Sequence, residues 1–196
     1  MCEEFDCASP AYINLYSQIV NYVTDYEKRL LSRHGKYIRC IRGCSDCCLL
    51  QSVTALEGFM IASAYDKLPE ALQRTVVDRT QPLSCPFLHQ SECLIYERRP
   101  IICRTHGYPI LVDGKVDYCP VNFKSSTDDE KGSTLTLHSD DILNLQGIND
   151  ALCIANKQFL KQSGFIADQF GRTPLASVPA LISWSGCGNV FCDIEY

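Results

Sequence analysis

Eight cysteines between residues 40 and 119 carry the chemistry that this chain could do. Cys40, Cys44, Cys47 and Cys48 lie in RCIRGCSDCCLL, and Cys85, Cys93, Cys103 and Cys119 lie in SCPFL, ECLIY, ICRTH and YCPVN. Thiolates are soft ligands that select zinc and iron–sulfur clusters. Neighbours two or three residues apart can reach one metal centre without long-range strain, so the first group is a credible nucleus. Four plus four thiols could hold two tetrahedral zinc ions, or one or two cubane [4Fe-4S] clusters. Adjacent Cys47 and Cys48 project in different directions if the chain is extended there, so they could serve different metals. Arg98, Arg99 and Arg104 flank the later ligands and could offset thiolate charge.

Neither core packing nor disulfide bonding accounts as well for so many cysteines. Reduced core cysteines have no reason to bunch at chelating spacings. A closed disulfide framework is disfavoured by the odd total of 13 and by a start, MCEEFDCASP, with neither a basic nor an apolar leader region. The expectation is a cytoplasmic protein, where thiols stay reduced unless a metal takes them. The longest uncharged run, residues 173–192, contains two prolines and two glycines and makes a poor membrane span. A net charge of -5 argues against a broad nucleic-acid surface. No phosphate-cradling glycine loop, serine–histidine–acid signature or nucleotide fingerprint is present. Cys40-x3-Cys44-x2-Cys47 has the spacing of the radical-SAM cluster motif. However, Asp46 stands where that family usually has an aromatic residue, and no series of β–α units follows. What remains of that likeness is the compatibility of the triplet with a cubane.

A closer resemblance is carried by Cys44-Ser-Asp-Cys47-Cys48, by Glu57 in the following segment, and by Cys85-Pro-Phe-Leu88. It continues through Cys93-Leu-Ile-Tyr-Glu-Arg-Arg-Pro-Ile-Ile-Cys103-Arg104 to the closing Cys119-Pro120. Over roughly residues 40–120 the chain resembles the zinc- or iron-chelating proteins of the Cys-x2-Cys-x2-Cys-Cys type (YkgJ-like), which are distantly similar to a flagellin lysine methylase. Cys40 departs from the pattern by lying three residues before Cys44 instead of two. The resemblance implies metal or iron–sulfur binding and says little about a substrate.

The elements that must position these thiols read as mainly α. Tyr12, Tyr16, Ile19, Val23, Tyr26 and Leu30 make one apolar stripe on a helix over residues 10–31. Thr54 and Glu57 form a capping box that opens a helix to about Lys67. Leu68-Pro69 ends it and starts a second helix that fades near Thr80. Folding back of this pair returns Cys85 toward Cys48. Asp113-Gly114 in YPILVDGKVDY predicts a β-hairpin. Ser139 starts a helical segment with Leu145, Ile148, Leu152, Ala155 and Phe159 on one face, Gly147 as a candidate break and Gly164 as a left-handed stop. KSSTDDEKGST at 124–134 reads as a polar loop.

The expected architecture is therefore one domain over residues 1–196. A metal-centred cysteine core spans 36–124, with irregular loops and one short β-hairpin. An N-terminal helix (10–31), a helical segment (139–164) and a C-terminal segment (165–196) surround it. His89 and His106 are expected beside the centre or on the surface, and Tyr96 and Glu97 should fix the Cys93–Cys103 loop. Cys153 reads as a core residue, Cys187 and Cys192 as a candidate redox pair or extra ligands, and Cys2 and Cys7 have no assigned role. Three functions fit. The first is an iron–sulfur protein in electron transfer, redox sensing or cluster-dependent catalysis, with a protein redox or substrate partner. The second is a zinc-stabilised interaction module, and the third is an accessory to a methylase-like protein-modifying enzyme.

Overall fold

In a computed structural model, the chain is described over residues 10–78, 84–123, 137–165, 168 and 171–185. Cys2, Cys7, Cys187, Cys192 and the polar stretch 124–134 lie outside the described residues. The fold is mainly α with a few short strands, as the periodicities predict.

Helix α1 (Ala11–His34) is about 36 Å long at 1.5 Å per residue. All six residues of its predicted stripe are buried, together with Ile13, Val20 and His34. That face packs along α5 (Leu145–Ser163), whose Leu145, Ile148, Leu152, Ala155 and Phe159 are buried as expected. Tyr12 meets Phe159 edge-on at 5.5 Å, and Phe59 tilts against the same ring at 5.4 Å. Burying each such side chain contributes about 1.5–3 kcal/mol. The α5 helix ends where Gly164 takes a left-handed φ of 66°.

Helix α2 (Ala55–Asp66) is central and shows no polar face. Residues 55–62 are all buried, because α5 covers one side and α6 (Val178–Ser185) another. The predicted capping box is present: the Thr54 hydroxyl accepts from the Glu57 N–H, and the Thr54 N–H donates to the Glu57 carboxylate. Gly58 is required by packing, since a Cβ there would stand 2.4 Å from Thr173 Cγ2. Helix α3 (Glu70–Val77) follows Pro69 as predicted.

The predicted hairpin joins β4 (Ile110–Val112) to β5 (Lys115–Asp117), and Asp113 and Gly114 both have positive φ. Three further pairings accompany it. Strands β1 (Ser52–Thr54) and β7 (Arg172–Pro174) pair antiparallel, and so do β2 (Leu88–His89) and β3 (Glu92–Cys93). Strand β6 (Leu143–Asn144) runs parallel to β4. This last pairing splits the expected 139–164 helix. Ser139–Asp141 is a 3-10 turn, β6 follows, and α5 begins at Leu145. The break therefore precedes Gly147, whose N–H is capped by Asn144 inside the first turn of α5.

Two apolar clusters result. One joins α1, α5 and the first half of α2. The other gathers Val53, Ile61, Tyr65, Phe87, Ile95 and Leu175, and the half-buried Cys85 and Cys93 pack against it. The cysteine segments rest on this second cluster.

Candidate metal centre

Residues 38–50 follow α1 without regular structure and fold as successive tight turns. The Cys44 N–H donates to the Ile41 carbonyl at 2.9 Å, and the Cys48 N–H donates to the Ser45 carbonyl at 3.0 Å. Ile38 and Leu50 anchor the two ends of this loop in the apolar clusters, but little apolar surface holds its middle, where Ile41 and Leu49 are 57 % and 60 % exposed. A polar clamp holds it instead. The buried Asn122 side-chain oxygen accepts from the Arg39 and Cys40 N–H groups at 2.7 and 3.1 Å, while its amide donates to the Gly107 carbonyl. The Asn122 N–H closes a turn onto the Cys119 carbonyl at 3.0 Å. One side chain thus ties the first thiol loop, the 107 bend and the last cysteine together. Gly107 sits at a φ of 89°, and a Cβ there would stand 2.6 Å from Cys40 Sγ, so only glycine lets Cys40 approach.

The remaining cysteines arrive on short elements. Cys85 donates its N–H to the Cys48 carbonyl at 2.9 Å, the return that the two-helix pair predicts. Phe87, fully buried, anchors the following turn. Cys93 lies on β3 opposite Leu88. The connecting Gln90 and Ser91 have φ of 48° and 65°, a left-handed pair built without glycine. Cys103 is in α4 (Ile101–Thr105), whose first N–H, at Ile101, donates to Glu57 Oε1 at 2.9 Å. Glu57 therefore caps two helices at once, and its burial raises its pKa against the opposing pull of the Ile101 and Thr54 bonds.

These segments enclose a cavity of about 310 Å³ lined by seven of the eight predicted cysteines: Cys40, Cys44, Cys47, Cys48, Cys85, Cys93 and Cys103. Cys119 does not line it but is hydrogen bonded to the Cys40 thiol. Neighbour relations divide the eight. Cys40 feels Cys119 and Cys44, and Cys47 feels Cys48, Cys44 and Cys119. Cys103 instead feels Cys85, Cys93 and Cys48. Cys47 and Cys48 thus face different companions, as their adjacency suggests, with Cys44 and Cys48 along the seam.

Crowding disfavours ionisation of the free thiols. Burial, then the hydrogen bond and charge of Cys119, pushes the Cys40 thiol up to about 12. Burial is also the first cause at Cys47, Cys48, Cys93 and Cys103, with neighbouring thiols adding to it at Cys47, Cys48 and Cys103. Arg99 opposes the rise at Cys48, Cys93 and Cys103. A bound cation would replace the protons of these thiols. All nine described cysteines are free thiols.

Among the described residues, no three histidine, cysteine, aspartate or glutamate side chains converge closely enough to hold one metal ion. A tetrahedral zinc with sulfur at about 2.3 Å needs sulfurs roughly 3.8 Å apart. Seven thiols line a cavity of about 310 Å³, and Cys119 pairs with the Cys40 thiol beside it.

The remaining predicted residues separate clearly. His106 lines the cavity and His89 does not. Tyr96 lines it, and the Arg42 and Arg99 guanidiniums lie over its ring at 4.7 and 3.7 Å. Glu97 points to solvent and lies 3.7 Å from Arg42. Arg99 lines the cavity, whereas Arg98 and Arg104 lie outside it. Cys153 is exposed on α5 and is no core residue, because it falls off the helix's buried face. Sequence reasoning missed the Asn122 clamp and Glu27. Glu27 on α1 accepts from the Tyr108 hydroxyl at 2.7 Å and lies 3.9 Å from Arg99. The only sequence signal for Asn122 is its place three residues after Cys119.

Among the described residues, no helix is long and apolar enough to cross a membrane. No curated protein and no solved structure matches the chain. Residues 39–122 match the CxxCxxCC family, described as a proposed zinc- or iron-chelating domain. The match starts and stops at residues that bind each other, since the Arg39 N–H donates to the Asn122 side chain. Over residues 39–122 the chain is thus similar to the CxxCxxCC family, the relationship that the cysteine block and its closing Cys-Pro imply.

Proposed function

We propose that this chain is an iron–sulfur protein, with one or two [4Fe-4S]-type centres drawing their ligands from Cys40, Cys44, Cys47, Cys48, Cys85, Cys93, Cys103 and Cys119, and that it works by electron transfer or redox sensing with a protein partner. The observation that carries the reading is the donor set itself: seven thiols line one cavity of about 310 Å³. Each of the two thiol groups has the ligand count of one cubane. Bound there, a cluster would supply reversible one-electron chemistry. The chain's own residues bind it, fix the loops and set the local field. Asn122 and Gly107 position Cys40, Glu57 positions Cys103, and Arg99 adds a positive charge beside the second group.

Ile41, Leu49 and Ile102 form an exposed apolar rim on the cavity, which suits docking of a partner protein. A reducing compartment such as the cytoplasm would keep the thiols available for ligation. Protein purified without oxygen is expected to be brown, with broad absorbance near roughly 400 nm. Cys47→Ser and Cys103→Ser should each lower that absorbance. A colourless protein carrying zinc would overturn the cluster reading in favour of a zinc-stabilised module.

A further inference from the structure

A second cavity, of about 430 Å³, lies between α1 and the Glu97–Arg104 segment. Its charge is one-sided. Lys28, Arg98, Arg99 and Arg104 line it, against Glu97 as the acid among the lining residues. The Glu97 side chain is 83 % exposed and sits beside Arg42, which is not part of the lining. Arg104 donates to the backbone carbonyls of Arg99 and Glu97, which are neutral acceptors. The carboxylate nearest Arg99, on Glu27, is 3.9 Å away and is shared with the Tyr108 hydroxyl. Lys28 pairs loosely with Asp25 at 3.7 Å, and both are well exposed.

The rest of the lining suits an organic anion. Tyr16, Asn21 and Thr24 present hydroxyl and amide groups along one side of α1, and Val20 and Met60 add an apolar wall. Guanidinium forks match the paired oxygens of phosphates and carboxylates. We propose that this cavity binds a small organic oxyanion, a phosphate ester or a carboxylate, between α1 and the Arg98–Arg104 segment. Arg99 lines both this cavity and the cysteine basin, so the anion sits directly behind the metal centre.

The test is calorimetric titration of the full-length protein, as purified, with inorganic phosphate and, separately, with acetate. Ionic strength is held constant with sodium chloride, and metal content is assayed on the same sample, so the anion site and the metal reading can fail independently. Saturable binding of at least one of the two anions is expected, and the stronger identifies the oxyanion class. Lys28→Gln and Arg98→Gln should each weaken it about tenfold or more, the scale of one lost charge-assisted hydrogen bond. Arg74→Gln, on exposed α3 away from the cavity, should bind as the wild type does. Lys28 is largely exposed, so its variant keeps the test valid if Arg98→Gln fails to fold. No saturable binding of either anion would overturn the proposal. So would unchanged affinity in the folded cavity variants, or an equal loss in Arg74→Gln.

Discussion

The α1–α5 framework and the cysteine basin are held together by different physics. In the framework, apolar residues at helical spacing interlock, and Val23, Tyr26, Leu30, Ala155 and Phe159 are almost fully buried. In the basin, the thiol loops expose Ile41 and Leu49 and are fixed by a few directed hydrogen bonds to Asn122 and Glu57. The packed framework draws most of its stability from many apolar contacts at once. A clamped basin depends on each polar contact, and a bound metal would add folding energy where packing is thin. Removing metal with a chelator should therefore leave the far-UV helical signal largely intact while exposing residues 38–50 to protease. Simultaneous loss of both would show that the two regions do not separate.

The largest effect on stability should come from the framework. Phe159→Ala removes a ring that packs against Tyr12, Phe59 and Phe165, and should lower unfolding free energy by about 3–5 kcal/mol in urea titrations. Asn122→Ala should cost about 2 kcal/mol by leaving buried groups unpaired, yet speed metal release to a chelator far more than Phe159→Ala does. Equal chelation rates in the two variants would erase the contrast between the regions.

A pH effect belongs to the framework. The Asp141 side chain is nearly inaccessible, and burial alone would raise its pKa. The His138 N–H, His34 and Arg33 outweigh burial and hold it at about 2, below the usual 3.8. A depressed acid stabilises the fold above its unfolded pKa, and that contribution disappears as pH falls from about 4 through about 2. Denaturation midpoints should drop across this window in the wild type and much less in Asp141→Asn. The smallest change is a gain. Ser91→Gly relieves a left-handed residue in the β2–β3 turn and should add about 1 kcal/mol.

The same contrast explains what the sequence made legible. Helical stripes, the Thr54–Glu57 box, the Asp113-Gly114 turn and the Gly164 stop are local signals, and each appears where it reads. The eight clustered cysteines were also legible as a set. Their partition was not, because it depends on which loops touch in space. Pairing of β6 with β4 is a tertiary event that broke the 139–164 helix, and the local mark it left, the Asn144 N-cap, lies inside the apolar periodicity that reads as continuous helix. The Gln90-Ser91 turn lacks the glycine that would announce it. Asn122 and Glu27 act across more than 70 residues of chain, beyond any spacing rule.

Iron and acid-labile sulfide counted per chain in anaerobically purified protein, with Mössbauer spectra of the same sample, test the central claim most directly. The account predicts iron and sulfide in equal amounts, with the spectrum of a cubane, and a reduced content when Cys47 or Cys103 becomes serine. Zinc in place of iron, or iron without sulfide, would contradict it.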